Sequence, residues 1–147
     1  MLKVLIDTSF LLPALGIEVE KEIIEAVKHF HSAEVHYLEV SVLEAMWKVI
    51  RVVPPEKLKV VEEGINAIQN TYTTLVPRPS SYAKALMLYR KGHRDFIDNL
   101  LYAVSVDEEI FFLSIDEAFI SFLKSIREDT SLILTPLDFV RMVSEPR

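Results

Sequence analysis

Residues 110–116 read IFFLSID. A nearly continuous apolar run of this length is what a strand buried on both faces requires, and strands of that kind belong to parallel sheets covered by helices on either side. Residues 2–7, LKVLID, have the same form, a short β-branched run that ends in an aspartate.

Working outward from these two strands, the chain alternates. VEKEIIEAVKHF (19–30) is helical, with Ile23, Ile24, Val27 and Phe30 on one face. VHYLE (35–39) is a second strand, and Ser41 opens the helix SVLEAMWKVIR. Pro54 and Pro55 stop that helix, and Glu56 begins another that runs to about Asn70. TTLVP (73–77) is a third strand. Helices follow at 80–91, with Gly92 as the C-cap, and at 95–107. Beyond the strand at 110–115 come a helix at 117–127, the strand SLILT and a short helix from Pro136. This alternation predicts an α/β fold, a three-layer α/β/α sandwich around a mostly parallel sheet. No linker-like tract or repeat divides residues 1–147, so one domain is expected.

Half of the 147 residues are hydrophobic, which suits a sizeable core and disfavours disorder. With no cysteine, disulfide frameworks and thiolate zinc sites are excluded, and a reducing, cytoplasmic address is expected. Charges break every apolar run before the roughly 20 residues a membrane span needs, and MLKVLID lacks the long apolar run of a signal peptide. The formal charge of −6 argues against binding a phosphate backbone. That argument lapses where carboxylates are gathered around a cation, because the ion then sets part of the local charge.

Ligands of parallel α/β sheets lie beyond the carboxyl ends of the strands. Asp7 and Asp116 stand at two such ends, and Glu44 and Asp98 occupy the first turns of helices that begin at the same edge. Each also has a purely structural reading. Asp7 suits a turn or an N-cap at Ser9, and Asp116 can cap the helix from Glu117. Ser41 to Glu44 spells a capping box, and Glu44 precedes Lys48 by one helical turn. Asp95 and Asp98 suit the positive end of a helix dipole. Taken singly the structural readings prevail, and the combination carries the weight. Four crowded carboxylates without a counter-ion would repel and take up protons. The grouping makes sense as a site for Mg²⁺ or Mn²⁺, hard cations that prefer oxygen.

D-T-S at 7–9, a helical glutamate at 44, D-N-L-L-Y-A at 98–103 and S-I-D at 114–116 resemble, in order and spacing, the PIN domain. The resemblance covers nearly the whole chain, whose length is typical of single-domain prokaryotic members, including VapC-type toxins. It implies a parallel sheet between helices and an acidic cluster that binds Mg²⁺ or Mn²⁺ for endoribonuclease activity. By position, Asp7, Glu44, Asp98 and Asp116 match the family's acids and are the implied catalytic and metal residues. Thr8 and Ser114 match hydroxyls that support the pocket, and Asp95 is an accessory acid. Two departures stand out. Asn99 replaces a frequent alanine, and Asp107-Glu108-Glu109 replaces a glycine-containing turn.

The implied reaction is hydrolysis of an RNA phosphodiester that leaves a 5′-phosphate and a 3′-hydroxyl. Asp7 and Asp116 are expected as direct ligands because they end strands, with Glu44 and Asp98 binding directly or through water. His93 could shuttle protons, but a polar helix-flanking residue is the preferred reading, and His29, His31 and His36 read as structural. Lys48, Arg51, Arg78, Lys84, Arg90, Lys91 and Arg94 are candidates for phosphate contacts, though a solvated helix face accounts for most. Trp47, Tyr72, Tyr82, Tyr89 and Tyr102 could stack on unpaired bases; core packing is the commoner role, and none is assigned. The resemblance further implies an RNA substrate, an antitoxin protein as partner and a homodimer. Val42, Met46, Val49, Val60 and Ile65 serve an interface or the core equally well.

Three alternatives compete with a toxin. The first is a stand-alone RNA-processing nuclease, and the second is an inactive scaffold whose acids only cap helices. The third, a receiver-like phospho-acceptor at Asp7, lacks the extra acidic pair and the lysine before a late proline; Thr135 precedes Pro136.

Overall fold

The computed structural model describes residues 1–145; the last two positions of the expected 1–147 domain lie outside the described residues. Five strands, β1 (Leu2–Ile6), β2 (Ala33–Leu38), β3 (Thr73–Leu75), β4 (Phe111–Leu113) and β5 (Ile133–Leu134), form one sheet in the order β3-β2-β1-β4-β5. All four pairings are parallel. The expected mostly parallel sheet is therefore wholly parallel.

Seven α-helices flank it: α1 (Lys21–Lys28), α2 (Glu39–Val52), α3 (Leu58–Thr71), α4 (Pro79–Arg90), α5 (Phe96–Glu108), α6 (Glu117–Ser125) and α7 (Pro136–Ser144). Side chains alternate across a strand, and β1 uses both of its faces. Val4 and Ile6 join one core with α1, α2, α3 and α7, whereas Leu5 joins a second with α4, α5 and α6. This gives the α/β/α sandwich, and it explains why the central strand residues Val4, Leu5 and Ile6 are wholly buried.

The chain begins at the sheet's centre, builds outward through β2 and β3, then returns to lay β4 on the other side of β1. Strand order thus reverses between β1 and β4. A crevice opens beyond the carboxyl ends of two strands whose connections depart in opposite directions. Asp7 follows β1 and Asp116 lies three residues past β4.

Two local expectations are overturned. A 3₁₀ helix at Thr8–Leu15, absent from the sequence reading, follows Asp7 and carries Pro13 inside it. The helix expected from Ser41 starts at Glu39, with Leu38 as N-cap. Ser41 therefore lies within the first turn, fully buried, and its hydroxyl has no hydrogen-bond partner. The capping box predicted there does not form; Thr135 and Asp138 make one at α7 instead.

Candidate metal centre

Asp7 leaves β1 in extended conformation, and its carboxylate accepts the Ser9 amide at 2.9 Å, capping the 3₁₀ segment. Asp116 caps α6 by accepting from the Phe119 amide at 2.9 Å. Asp95 caps α5 by accepting from the amide of Asp98 at 3.1 Å. The three capping readings are thus realised, and they do not compete with a shared site. Asp7, Glu44, Asp95, Asp98 and Asp116 line one pocket of about 330 Å³ together with Thr8, Ser9 and Ile115. Asp98 faces this pocket from the first turn of α5, whereas Glu44, which the sequence placed in a first turn, lies beyond that of α2 because the helix begins at Glu39.

Hydroxyls tie these acids down. Thr8 Oγ1 donates to Glu44 Oε1 across 36 residues of sequence, joining the 3₁₀ segment to α2. Ser114 Oγ accepts the Asp116 amide at 3.1 Å and also bonds the Asp7 carboxylate, so one buried serine serves both strand ends. Thr8 thus lines the acidic pocket, and Ser114 sits between the two strand-end acids.

Charge in the pocket is one-sided, since among the described residues no lysine or arginine lines it. Burial pushes the Asp7 carboxyl up to about 7, against hydrogen bonds from Ser9, Ser114 and Ile115 that pull it down. For Asp98, burial and then the charges of Asp95, Asp7 and Asp116 raise it to about 9. Glu44 is raised by burial and by Asp95, partly offset by the Thr8 hydroxyl. Burial is the first cause of all three shifts, and neighbouring carboxylates add to those of Asp98 and Glu44. The side chains lining the pocket itself offer oxygen donors, several of them carboxylate, which fits a hard divalent cation.

The sequence reading admits His93 only as a proton shuttle and prefers a polar helix-flanking role for it. A ring nitrogen of His93 and an oxygen each of Asp98 and Asp116 lie within 4.8 Å of one another, so this trio could hold a metal ion. His93 sits in the loop between α4 and α5, stacked on Phe119 and Phe122 with ring centroids 4.4 and 5.4 Å away. Its nearness to Asp98 in GHRDFID was the available signal. What hid it was the absence of helical spacing between residues on either side of a helix start.

Other assignments sort by exposure. Arg78 pairs with Glu108 at 3.2 Å and Lys84 pairs with Glu128, so two of the seven basic candidates are engaged within the fold. Arg90 and Arg94 share a surface cleft with Leu86 and Tyr89. Tyr102 is core, its hydroxyl donating to the Asp129 carbonyl at 2.7 Å, whereas Trp47, Tyr82 and Tyr89 are exposed. Val42 and Val49 are core, with Met46 and Ile65 packed against it, and only Val60 of that set is exposed. Leu43, Trp47 and Ile50 form the exposed stripe of α2 instead.

Among the described residues, no helix is long and apolar enough to cross a membrane. No family model and no curated protein matches the chain. Solved structures do. A toxin-antitoxin complex from Klebsiella pneumoniae contains a chain that superposes with a TM-score of 0.62 at 13% identity, over 90% of this chain and 97% of that one. PAE2754 from Pyrobaculum aerophilum superposes with a TM-score of 0.65 at 14% identity, over 97% and 96%. At such identity the likeness is one of fold, and it extends over the length of both relatives.

Proposed function

We propose that this chain is a PIN-type, metal-dependent endoribonuclease, the toxin of a toxin–antitoxin pair. The observation that carries the reading is the gathering of five carboxylates from four distant parts of the sequence around one pocket with no cationic side chain. A scaffold would need its acids at helix ends but would have no need to bring them together.

In this reading Asp7 and Asp116 bind Mg²⁺ or Mn²⁺ directly, held rigid by Ser9, Ser114 and the α6 amide. Glu44 and Asp98 bind directly or through water, and Asp95 adds negative charge behind Asp98. Thr8 fixes the Glu44 rotamer, and Ser114 fixes the spacing of the two strand-end carboxylates. When bound, the ion supplies an activated water and stabilises the charge that develops on the cleaved phosphate. Phosphate contacts fall to Arg90, Lys91 and Arg94, which directly precede Asp95 and Asp98 in sequence and, among the described residues, make none of the ion pairs that occupy Arg78 and Lys84. The likeness to a chain of a toxin-antitoxin complex supports an antitoxin as partner. The reading also includes a homodimer.

The purified protein is expected to cleave single-stranded RNA with Mg²⁺ or Mn²⁺ and to lose this with EDTA. Asp7→Asn should abolish cleavage while circular dichroism shows the fold intact. Equal cleavage by wild type and variant rejects the proposal.

A further inference from the structure

Asn99, the unexpected residue after Asp98, is fully buried and settles which tautomer the neutral His93 ring adopts. Its Nδ2 donates to the His93 carbonyl at 2.9 Å and to the Ala85 carbonyl at 3.4 Å. Carbonyl oxygens only accept, so the amide cannot be turned the other way round, and Asn99 Oδ1 must be the atom 2.9 Å from His93 Nδ1. That oxygen is also only an acceptor. Nδ1 therefore carries the hydrogen, and in the neutral ring the lone pair is on Nε2.

The ring itself has little freedom. It packs against Phe119 and Phe122, tilted from their planes by 32° and 38°, and its backbone carbonyl is held by the same asparagine that holds its Nδ1. A histidine whose far nitrogen donates to a fixed amide oxygen is arranged as metal-binding histidines generally are, with the tautomer and ring plane set from behind. Asp98 and Asp116 each provide a ligand oxygen within 4.8 Å of a nitrogen of this ring.

We propose that His93 Nε2 is a direct ligand of the ion held by Asp98 and Asp116, with Asn99 as its positioning residue, and that this nitrogen favours Mn²⁺ over Mg²⁺. The proposal rests on the metal-centre reading above and adds a ligand to it. Mg²⁺ keeps to oxygen donors and gives up its waters reluctantly. Mn²⁺ shares the preference for oxygen but stands at the start of the first-row series whose later members take imidazole readily, and so accepts a nitrogen donor that Mg²⁺ does not. A mixed nitrogen and carboxylate set therefore separates two cations that an all-carboxylate pocket treats more alike.

Pulsed electron paramagnetic resonance of the Mn²⁺-loaded chain tests this directly, because a coordinated imidazole nitrogen modulates the electron spin echo. Wild type is expected to show that modulation and His93→Gln to lack it. By calorimetry, the same variant should lose about 10-fold or more in Mn²⁺ affinity, the scale on which supporting residues of metal sites act, and keep its Mg²⁺ affinity. Mn²⁺ binding by wild type without nitrogen modulation overturns the ligand assignment and leaves the carboxylate site standing. Modulation that survives in His93→Gln places the nitrogen elsewhere and overturns it too. Failure of wild type to bind Mn²⁺ at all overturns the metal-centre reading along with this one.

Discussion

Asp98 sits in the first turn of α5, where the helix dipole favours a carboxylate, yet burial and the charges of Asp95, Asp7 and Asp116 outweigh that and raise it to about 9. A group raised in the folded state contributes most below its unfolded value. It costs progressively more as pH climbs toward the folded one. Asp98→Asn copies the protonated form and removes the like charge. In metal-free protein it is expected to leave stability unchanged near pH 4 and to raise it increasingly toward pH 9. Thermal melts in EDTA read the effect, at about 2–4 °C per kcal/mol for a chain of this size. A variant less stable than wild type at pH 8 would contradict the assigned crowding. The sequence showed Asp7 and Asp116 as caps and also as ligand candidates, with Asp95 as a cap and an accessory acid, and capping and pocket lining coincide because a capping acid already stands at the helix end that faces the crevice. Glu44 was legible as an acid of the site but not in its local contact. Its partner is Thr8, 36 residues away, and nothing between residues 41 and 44 signals that.

Among the elements, the strands and α-helices could be read from periodicity and from their proline and glycine punctuation, with ends displaced by one to three residues in most cases. The 3₁₀ segment Thr8–Leu15 could not, because TSFLLPAL is apolar all round and carries a proline, so it shows neither helical nor strand alternation. Its course is set from outside by α3. Gly64 lies so close to Ala14 that a Cβ there would collide with the Ala14 carbonyl. Gly64→Ala, helpful in an isolated helix, is accordingly expected to destabilise this protein by about 1–3 kcal/mol, the usual cost of forcing atoms into a packed contact. Urea unfolding measures it, and a variant as stable as wild type would show that the segment is not held by this approach. The departure at 107–109 also resolves at this scale. Glu109 adopts a left-handed φ of 55° at the end of α5, the conformation a glycine would take without strain. Asp107 accepts the Ser80 and Ser81 hydroxyls at 2.8 and 2.5 Å, fastening α5 to α4.

For the molecule as a whole, the parallel sheet and its strand reversal bring the acids together, and the folded state bears the cost of their proximity. Asp7 rises to about 7 and Asp98 to about 9, both from 3.8. The folded form therefore holds more protons than the unfolded chain between about pH 4 and 9, and metal-free stability should fall as pH rises through that window. Saturating Mn²⁺ should raise the melting temperature most at the alkaline end, since an ion that binds only the folded state adds stability by mass action. Melts at several pH values, with and without Mn²⁺, check both statements; a flat metal-free profile would contradict them. The fold class was legible in IFFLSID and LKVLID, since strands apolar on both faces require helices on both sides. His93 was not, because its place depends on Asn99, Phe119 and Phe122 meeting from two helices.

The most direct test is diffraction from Mn²⁺-soaked crystals at the manganese absorption edge. An anomalous peak among the carboxylates of Asp7, Asp98 and Asp116, absent from Asp116→Asn crystals, is the predicted result. A fully loaded crystal with no peak there, or with manganese only at surface carboxylates, would contradict the account.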